Sequence, residues 1–372
     1  MSGPVVKGWC PGAYRPMMSG DGLVVRVRPR LARFTGAQVL GLCALAQRHG
    51  SGVLDLTNRA NIQIRGVAEA DHEPLLQELA ALSLLDVDPG VESRRNILVQ
   101  PFWQAGDLTE RLTLGLLDLL PDLPALPAKV GFAVDTGPAP LLSEASADFR
   151  LERSASGLIL RADGSALGRP VTEAEALPAL AEMARWFDAR RSPDHRRMAQ
   201  VLENHALPEG WAVEPPLAAA QTPQPGTHPT GALLGAAFGQ IDAAELSDLI
   251  TDDTALRVTP WRLFLLEGAE LPTAGSLITT PGDPLLHVDA CPGAPLCPQA
   301  TVETRELARA LAGTRTGSLH VSGCAKGCAR ARPAETTLVG REGTFDLVPG
   351  GKASDLPRQT GLTPATLLSG AF

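Results

Sequence analysis

The chain has 372 residues, is 44% apolar and carries a formal net charge of −8, a balance that argues against a general nucleic-acid binder. It contains no apolar run of about 18 residues, and its first residues lack the apolar core of a signal peptide, so we expect a cytoplasmic protein without a membrane span. Six cysteines in a chain of this length do not indicate a disulfide scaffold.

Positive charge is concentrated at the beginning of the chain. Residues 1–66 contain nine lysines or arginines and two aspartates, a local charge of +7. Alternate residues of a strand share one face, so Arg26 and Arg28 are expected side by side, as are Arg59 and Arg65. Guanidinium groups pair bidentately with carboxylates, so this face suits a ligand that carries many carboxylates. A solubilising surface is the alternative for each arginine.

A weak internal repeat organises the sequence. Residues 54–66 (LDLTNRANIQIRG) are repeated about 200 residues later as residues 256–268 (LRVTPWRLFLLEG). Each copy follows a predicted strand and helix. These are residues 22–28 and 36–49 in the first copy, with Thr35 as N-cap, and residues 231–238 and 242–250 in the second. We therefore expect two strand–helix–strand units that pair into one sheet, with their helices on one face.

The two copies differ in polarity. The first has Asn58, Arg59, Asn61, Gln63 and Arg65 where the second has Pro260, Trp261, Leu263, Leu265 and Glu267. Polar residues kept at strand positions are more typical of a binding site than of a core. The first copy is therefore predicted to line a site, and the second to be the structural half.

The rest of the chain shows the following pattern. Residues 206–230 are rich in Pro, Ala and Thr without periodicity, which predicts a linker. Helices are predicted at residues 71–84, 108–120, 171–190 and near 302–311, and strands at residues 95–100, 130–135 and 157–162.

The cysteines near the end of the chain are the strongest chemical signal. Cys291 and Cys297 are separated by five residues, and Cys324 and Cys328 by three, in loops rich in Gly and Pro. Four thiolates from two loops can hold a [4Fe–4S] cluster. A helical Cys-x3-Cys pair would place both thiols on one face, and the five-residue spacing is wider than in a zinc knuckle. A structural zinc and unrelated buried thiols are the alternatives.

The remaining cysteines and the histidines give weaker signals. Cys43 lies in an apolar helical stretch and is expected in the core, whereas Cys10 lies in a Gly/Pro loop with no specific signal. His287 precedes Cys291 by four residues and His320 precedes Cys324 by four. Each is either structural or close to a metal, and no histidine pair has metal-ligand spacing.

The cysteine pattern, the repeat and the arginines together resemble the sulfite/nitrite reductase superfamily. The resemblance implies an α+β fold, in which duplicated ferredoxin-like half-domains pair into one sheet and are joined by two α/β nitrite/sulfite reductase-like units. The implied boundaries are 1–70 and 231–270 for the half-domains, 71–205 and 271–372 for the α/β units, and 206–230 for the linker. It also implies a [4Fe–4S] cluster on Cys291, Cys297, Cys324 and Cys328, the last of which bridges to sirohaem iron in the reductases.

Further motifs of the superfamily are matched in the basic part of the chain. Arg-x-Arg is matched by Arg26 and Arg28, Thr-x-Arg by Thr57 and Arg59, and Arg-Asn by Arg95 and Asn96. The implied tetrapyrrole-binding residues are Arg15, Arg26, Arg28, Arg59, Asn61, Gln63, Arg65, Arg95, Asn96 and Lys129. Lys129 begins the Lys-x-Lys stretch of the reductases, but Gly131 replaces its second lysine, which argues against six-electron reduction of sulfite or nitrite.

The opening of the chain, from Gly8-Trp9-Cys10 to Gly22, resembles one branch of the superfamily, the precorrin-3B synthases. This implies an oxidoreductase of aerobic cobalamin biosynthesis, an iron–sulfur monooxygenase. It would use O2 to oxidise the tetrapyrrole precorrin-3A, with C20 hydroxylation and γ-lactone formation. A mononuclear non-haem iron is a further expected cofactor, and sirohaem is less favoured. No dinucleotide fingerprint is evident, so an external NAD(P)H-linked electron donor is implied. A sirohaem-dependent sulfite or nitrite reductase and a non-catalytic [4Fe–4S] electron carrier remain alternatives.

Overall fold

The computed structural model describes residues 11–314 and 317–370. Gly8, Trp9 and Cys10 of the opening motif lie outside these ranges. Within them, no helix is both long and apolar enough to cross a membrane.

The described residues form nine α-helices and twenty β-strands. The helices are α1 (Gly36–His49), α2 (His72–Ala81), α3 (Pro89–Arg94), α4 (Leu108–Leu119), α5 (Glu173–Asp188), α6 (Met198–Leu202), α7 (Ala243–Asp248), α8 (Arg305–Leu311) and α9 (Pro364–Leu368). The strands are β1 (Met17–Ser19), β2 (Gly22–Val27), β3 (Arg33–Thr35), β4 (Val53–Leu56), β5 (Ile62–Val67), β6 (Ile97–Val99), β7 (Phe132–Asp135), β8 (Phe149–Arg153), β9 (Leu158–Ala162), β10 (Arg169–Val171), β11 (Gly226–His228), β12 (Gly231–Gly235), β13 (Gln240–Asp242), β14 (Ala255–Val258), β15 (Leu263–Glu267), β16 (Val288–Ala290), β17 (Leu319–Ser322), β18 (Ala334–Arg341), β19 (Thr344–Gly351) and β20 (Gln359–Leu362).

The two copies of the repeat form two antiparallel sheets that exchange one strand each. The first sheet has the order β1-β2-β5-β4-β13 and the second β11-β12-β15-β14-β3. Thus β13 of the second copy pairs with β4 of the first, and β3 of the first pairs with β14 of the second. The duplication and the α+β class are confirmed, but the copies pair through exchanged edge strands into two sheets rather than one. Left-handed residues at Leu31 (φ 56°) and Phe238 (φ 59°) turn the chain just before each exchanged strand.

The backbone of the two copies agrees in detail. Ala60 and Arg262 both have positive φ, at 51° and 62°, at matching places in the β-turns between the paired strands. Gly66 and Gly268 close the repeat with φ of 73° and 75°, where only glycine adopts the conformation without strain. The sequence repeat is therefore a repeat of conformation.

The helix α1 has the predicted bounds. Thr35 caps it through a capping box, in which its side chain accepts from the Gln38 backbone and the Gln38 side chain accepts from the Thr35 backbone. Its apolar face, which includes the buried Cys43, packs in a core shared by both copies, and α1 lies against α7 of the second copy. The placement of Cys43 in the core is confirmed.

A third sheet, with order β10-β9-β8-β7-β6, is covered by α4 and α5. The predicted helices 71–84, 108–120 and 171–190 correspond to α2, α4 and α5. After α6, residues 206–225 form no helix or strand apart from a single bridge between Gly168 and Glu214, and β11 begins at Gly226.

A fourth sheet, with order β16-β17-β18-β19-β20, contains the cysteine loops. The strands β16, β17 and β18 are parallel neighbours. Cys291 directly follows β16, and Cys324 follows β17 after one glycine. Because the carboxyl ends of parallel strands meet at one edge, the fold brings both cysteine pairs to the same edge of this sheet.

Candidate functional site

The two cysteine loops face each other at the edge of the fourth sheet. Cys291 is buried. The backbone N–H of Gly323, the residue before Cys324, donates to Cys291 Sγ at 3.1 Å. The Thr304 hydroxyl donates to the carbonyl oxygen of Cys291 and ties the loop to the start of α8. The segment from Cys324 to Cys328 consists of turns rather than a helix, with Gly327 at φ 63°. The prediction that this pair lies on a helix is therefore wrong, although the loops still bring the thiols near one another.

The electrostatics of the thiols fit a site that takes up a cation. Desolvation by the surrounding loops raises the pKa of Cys324, which is half-buried, and of Cys328, whose surface is still exposed at the cavity wall. The nearby Cys291 and Cys297 thiols act in the same direction, and Lys326 opposes them. Such thiols remain protonated alone and lose their protons to a bound metal. In the described ranges no three His, Cys, Asp or Glu side chains gather around a single-ion position. A [4Fe–4S] cluster binds its thiolates on different irons, so its ligands are spaced more widely than those of a single ion.

Next to these loops lies a cavity of about 590 Å³. Both copies of the repeat line it, through residues such as Asn58 and Gln63 in the first and Trp261 in the second, and Cys291 and Cys328 form part of its wall. Its charged lining is mostly positive. Arg26, Arg65, Arg262, Arg305, Arg330 and Arg332 stand against Asp55 and Asp289.

Three of the predicted tetrapyrrole-binding residues line this cavity: Arg26, Gln63 and Arg65. Arg26 donates to the Gln63 amide oxygen at 2.9 and 3.2 Å, in the amide orientation that satisfies both groups. Arg65 is 5% exposed and donates twice to Asp21 at 2.9 Å and once to Asp55 at 3.3 Å. Its guanidinium thus already has carboxylate partners within the protein.

Three others lie in a buried network away from the cavity lining. Arg28 pairs with Glu92 and donates to Asn96 at 3.4 Å. Arg95 donates to Asp86 at 2.7 Å and to the Arg28 carbonyl oxygen at 2.6 Å. Asn96 in turn donates to the carbonyl oxygens of residues 128 and 130. The contacts of this network are those of a structural tie between β2 and the segment before β6.

The remaining predicted residues lie outside the cavity lining. Arg59 is 8% exposed and donates to the Lys129 carbonyl oxygen at 2.9 Å and to Ser146 at 3.4 Å. Asn61 is buried, and its Nδ2 has no hydrogen-bond partner among the described residues. Arg15 is exposed, and Lys129 is half-buried.

The second half contributes more to the cavity than the sequence indicated. Arg262 donates to the Leu286 carbonyl oxygen at 3.1 Å and pairs with Asp289 at 3.3 Å. Arg330 pairs with the same carboxylate at 2.9 Å. The second copy is therefore not only structural. In the aligned repeat, Arg262 occupies the turn position of Ala60, between the predicted site residues Arg59 and Asn61. This alignment was the sequence signal that could have identified Arg262.

The two histidines near the cysteines differ. His287 is exposed and lines the cavity. His320 is fully buried in β17, neither ring nitrogen has a partner among the described residues, and burial lowers its pKa to about 4. His320 is therefore a neutral core residue at neutral pH.

Comparison with known proteins places the chain in a family. A family profile, the nitrite/sulfite reductase ferredoxin-like half domain, matches residues 15–82. A precorrin-3B synthase from Sinorhizobium sp. is 31% identical over 94% of this chain and 84% of its own length. A ferredoxin–nitrite reductase from Synechococcus elongatus is 31% identical over 94 residues, 25% of this chain and 18% of that protein.

Among solved structures, NirA of Mycobacterium tuberculosis aligns with a TM-score of 0.61 over 93% of this chain and 79% of that chain, at 16% identity. This match supports the fold. The long match at 31% identity shows the family. The chain belongs to the precorrin-3B synthase family, a branch of the sulfite/nitrite reductase superfamily.

Proposed function

We propose that the chain catalyses the O2-dependent oxidation of precorrin-3A in aerobic cobalamin biosynthesis, with hydroxylation at C20 and closure of a γ-lactone. The observation that carries the proposal is the 31% identity to a precorrin-3B synthase over 94% of the chain. The arginine-rich cavity supports it, because a precorrin is an apolar macrocycle with acetate and propionate side chains at its edge.

The reaction determines which partners are needed. One oxygen atom of O2 enters the macrocycle and the other leaves as water, which consumes two electrons and two protons. The substrate is hydroxylated, so these electrons come from outside, and we assign them to a separate NAD(P)H-linked donor.

A [4Fe–4S] cluster fits the residues present. We propose Cys291, Cys297, Cys324 and Cys328 as its ligands, because the fold brings both pairs to one sheet edge and the Gly323 N–H already points at a sulfur. When bound, such a cluster supplies one-electron transfer. The chain itself encloses Cys291 and leaves Cys328 exposed at the cavity wall. We therefore propose that Cys328 is the ligand closest to the bound macrocycle.

A mononuclear non-haem iron has no fitting site of side chains in the described ranges. We assign no role to such an ion here.

The reductase alternative rests on the short matches to ferredoxin–nitrite reductases. Against it stands Gly131 at the second lysine position. A Cβ there would lie 3.2 Å from the Asn96 carbonyl oxygen and 3.3 Å from that of Ser146, so a lysine would be tightly packed and the neighbouring backbone would have to move by a few tenths of an ångström.

One experiment separates the candidates. The protein is purified without oxygen, its spectrum and its iron and sulfide contents are recorded, and it is then mixed with precorrin-3A, a reductant and ¹⁸O2. We expect an iron–sulfur spectrum without a sirohaem Soret band, and one ¹⁸O atom in the product. Bound sirohaem with sulfite or nitrite reduction would refute the proposal, as would a cluster with no conversion of precorrin-3A.

A further inference from the structure

Arg305 joins the cysteine loops to the first copy of the repeat. It is the first residue of α8, and the preceding Thr304 bonds to the backbone of Cys291. Its side chain is 12% exposed and reaches across the cavity wall toward β4, where its Nη2 lies 3.8 Å from Asp55 Oδ1. Arg305 is therefore held at the junction of the two halves.

The guanidinium of Arg305 is buried but two of its three nitrogens donate no hydrogen bond to the described residues. Its Nε and Nη1 are enclosed and have no hydrogen-bond partner among the described residues, and neither has Asp55 Oδ1. The 3.8 Å separation from Asp55 is too long for a hydrogen bond. Most buried guanidinium groups donate several such bonds, so this one is arranged for an acceptor that the protein does not supply.

Arg65, Arg262 and Arg330, which also line the cavity, differ from Arg305 in this respect. Arg65 is bonded to Asp21 and Asp55, and Arg262 and Arg330 are bonded to Asp289. The charged groups around Arg305 are Asp55, Asp21 and Arg65, with the Cys291 thiol also close. Asp55 also pairs with Arg65 at 3.3 Å, so its charge is already partly compensated by a second guanidinium.

We propose that Arg305 binds one carboxylate side chain of the tetrapyrrole, at the boundary between the cysteine loops and β4. This rests on the proposed function and adds a residue that the family motifs do not include. A carboxylate presents two oxygens that match the guanidinium fork and would satisfy the unbonded N–H groups. Its position beside Cys291 would fix the edge of the macrocycle next to the cluster loop.

Two porphyrins are suitable probes for this contact. Uroporphyrin III carries acetate and propionate side chains, and in coproporphyrin III methyl groups replace the acetates. Their dissociation constants are measured by fluorescence quenching for the wild-type holoprotein, for Arg305→Gln and Arg305→Lys, and for Arg309→Gln. Arg309 is a matched control one turn further along α8. It is exposed and does not line the cavity, although its guanidinium lies over the ring of Phe238, which does.

We expect Arg305→Gln to raise the Kd of uroporphyrin III about tenfold or more. Arg305→Lys should raise it less, about threefold, because it keeps the charge without the fork. Arg309→Gln should leave it unchanged. If the loss appears with uroporphyrin III alone, Arg305 binds an acetate. If it appears with both porphyrins, it binds a propionate.

Other outcomes overturn the inference. Unchanged affinity in Arg305→Gln, when the wild type binds the porphyrins, leaves the proposed function standing and refutes the role of Arg305. So does an altered cluster reduction potential with unchanged affinity, which would assign Arg305 to the cluster. If Arg305→Gln does not fold, the Lys variant decides. A wild-type protein that binds neither porphyrin would refute both this role and the proposed tetrapyrrole site.

Discussion

Replacing Arg65 by Met tests whether this arginine holds the fold together. Arg65 is 5% exposed and donates to Asp21 at 2.9 Å through two nitrogens, to Asp55 at 3.3 Å and to Ser19 at 3.2 Å. Methionine keeps the apolar stem but leaves Asp21 without its arginine and Asp55 with only Arg305, at 3.8 Å. Removing one member of a buried ion pair costs about 3–5 kcal/mol, and the bonds share one guanidinium, so their separate values do not add. We expect the free energy of unfolding to fall by about 3–5 kcal/mol.

The measurement is urea unfolding followed by circular dichroism, with Arg48→Met as control. Arg48 forms an exposed pair with Glu78, and its loss should change stability little. The cost of Arg65→Met should also depend on pH. Burial raises the pKa of Asp55, and Arg65 lowers it, so the variant raises it further. In the variant, the ionised Asp55 carboxylate destabilises the fold at pH values above its pKa, and protonation of this group removes the penalty below it. The loss in free energy of unfolding caused by Arg65→Met should therefore shrink as the pH falls. A loss below about 1 kcal/mol at neutral pH would refute the structural role.

Three further predictions concern the cluster loops and the core. Cys291→Ala should abolish bound iron and sulfide, measured by elemental analysis, because it removes a proposed ligand. Gly20→Ala should lower the iron content too, because its Cβ would lie 2.4 Å from the Pro295 carbonyl oxygen and displace the loop that holds Cys297. Asp135→Asn should stabilise the protein above about pH 6, by up to about 3 kcal/mol in urea unfolding, because burial raises the pKa of Asp135 from 3.8 to about 6. A raised folded pKa means that this carboxyl costs stability as the pH rises from about 4 to about 6.

The two cluster predictions have a control variant each, and the Asp135 prediction is checked by its pH dependence. Cys43→Ala removes a core thiol and should keep the cluster, whereas retention of full iron and sulfide in Cys291→Ala would show that the ligand assignment is wrong. Met18→Ala, at an exposed position beside Gly20, should leave the iron content unchanged. Equal iron in Gly20→Ala would mean that the loop adapts. For Asp135, the Arg150 and Glu152 charges also act on its pKa. A stability difference that does not change between about pH 4 and pH 6 would contradict burial as the cause.

Local features of the fold were predictable, and the way the copies join was not. The helix α1 has its own cap at Thr35 and a clear apolar period, so its bounds follow from sequence. The exchanged strands Arg33–Thr35 and Gln240–Asp242 are three residues long, too short for a period. Their partners are chosen by tertiary packing, which local propensity does not contain.

The site shows the same division. The cysteine spacing was enough to predict that the two loops lie close together. In the structure they do so because each pair follows one of two parallel neighbouring strands. The spacing of the arginines was less informative, because a motif does not reveal whether an arginine already has a partner within the protein. Arg28 meets Glu92, 64 residues away along the chain, and Arg95 meets Asp86, nine residues before it across a change of direction of the backbone. Arg305 has no strand pattern and matches no motif, and the structural signal is that two of its buried guanidinium nitrogens, Nε and Nη1, lack a hydrogen-bond partner among the described residues.

The strand exchange makes the two copies mutually dependent. The second copy contributes β13 to the sheet of the first, and the first contributes β3 to the sheet of the second. Separating the two copies would therefore break the hydrogen bonds of an edge strand in both sheets. Each half alone would expose a bare strand edge, which tends to pair with another chain. The arrangement resembles a domain-swapped homodimer whose two subunits are joined covalently in one chain. Covalent fusion allows the two copies to differ: the first lines the cavity with Arg26, Gln63 and Arg65, and the second lines it with Trp261 and Arg262.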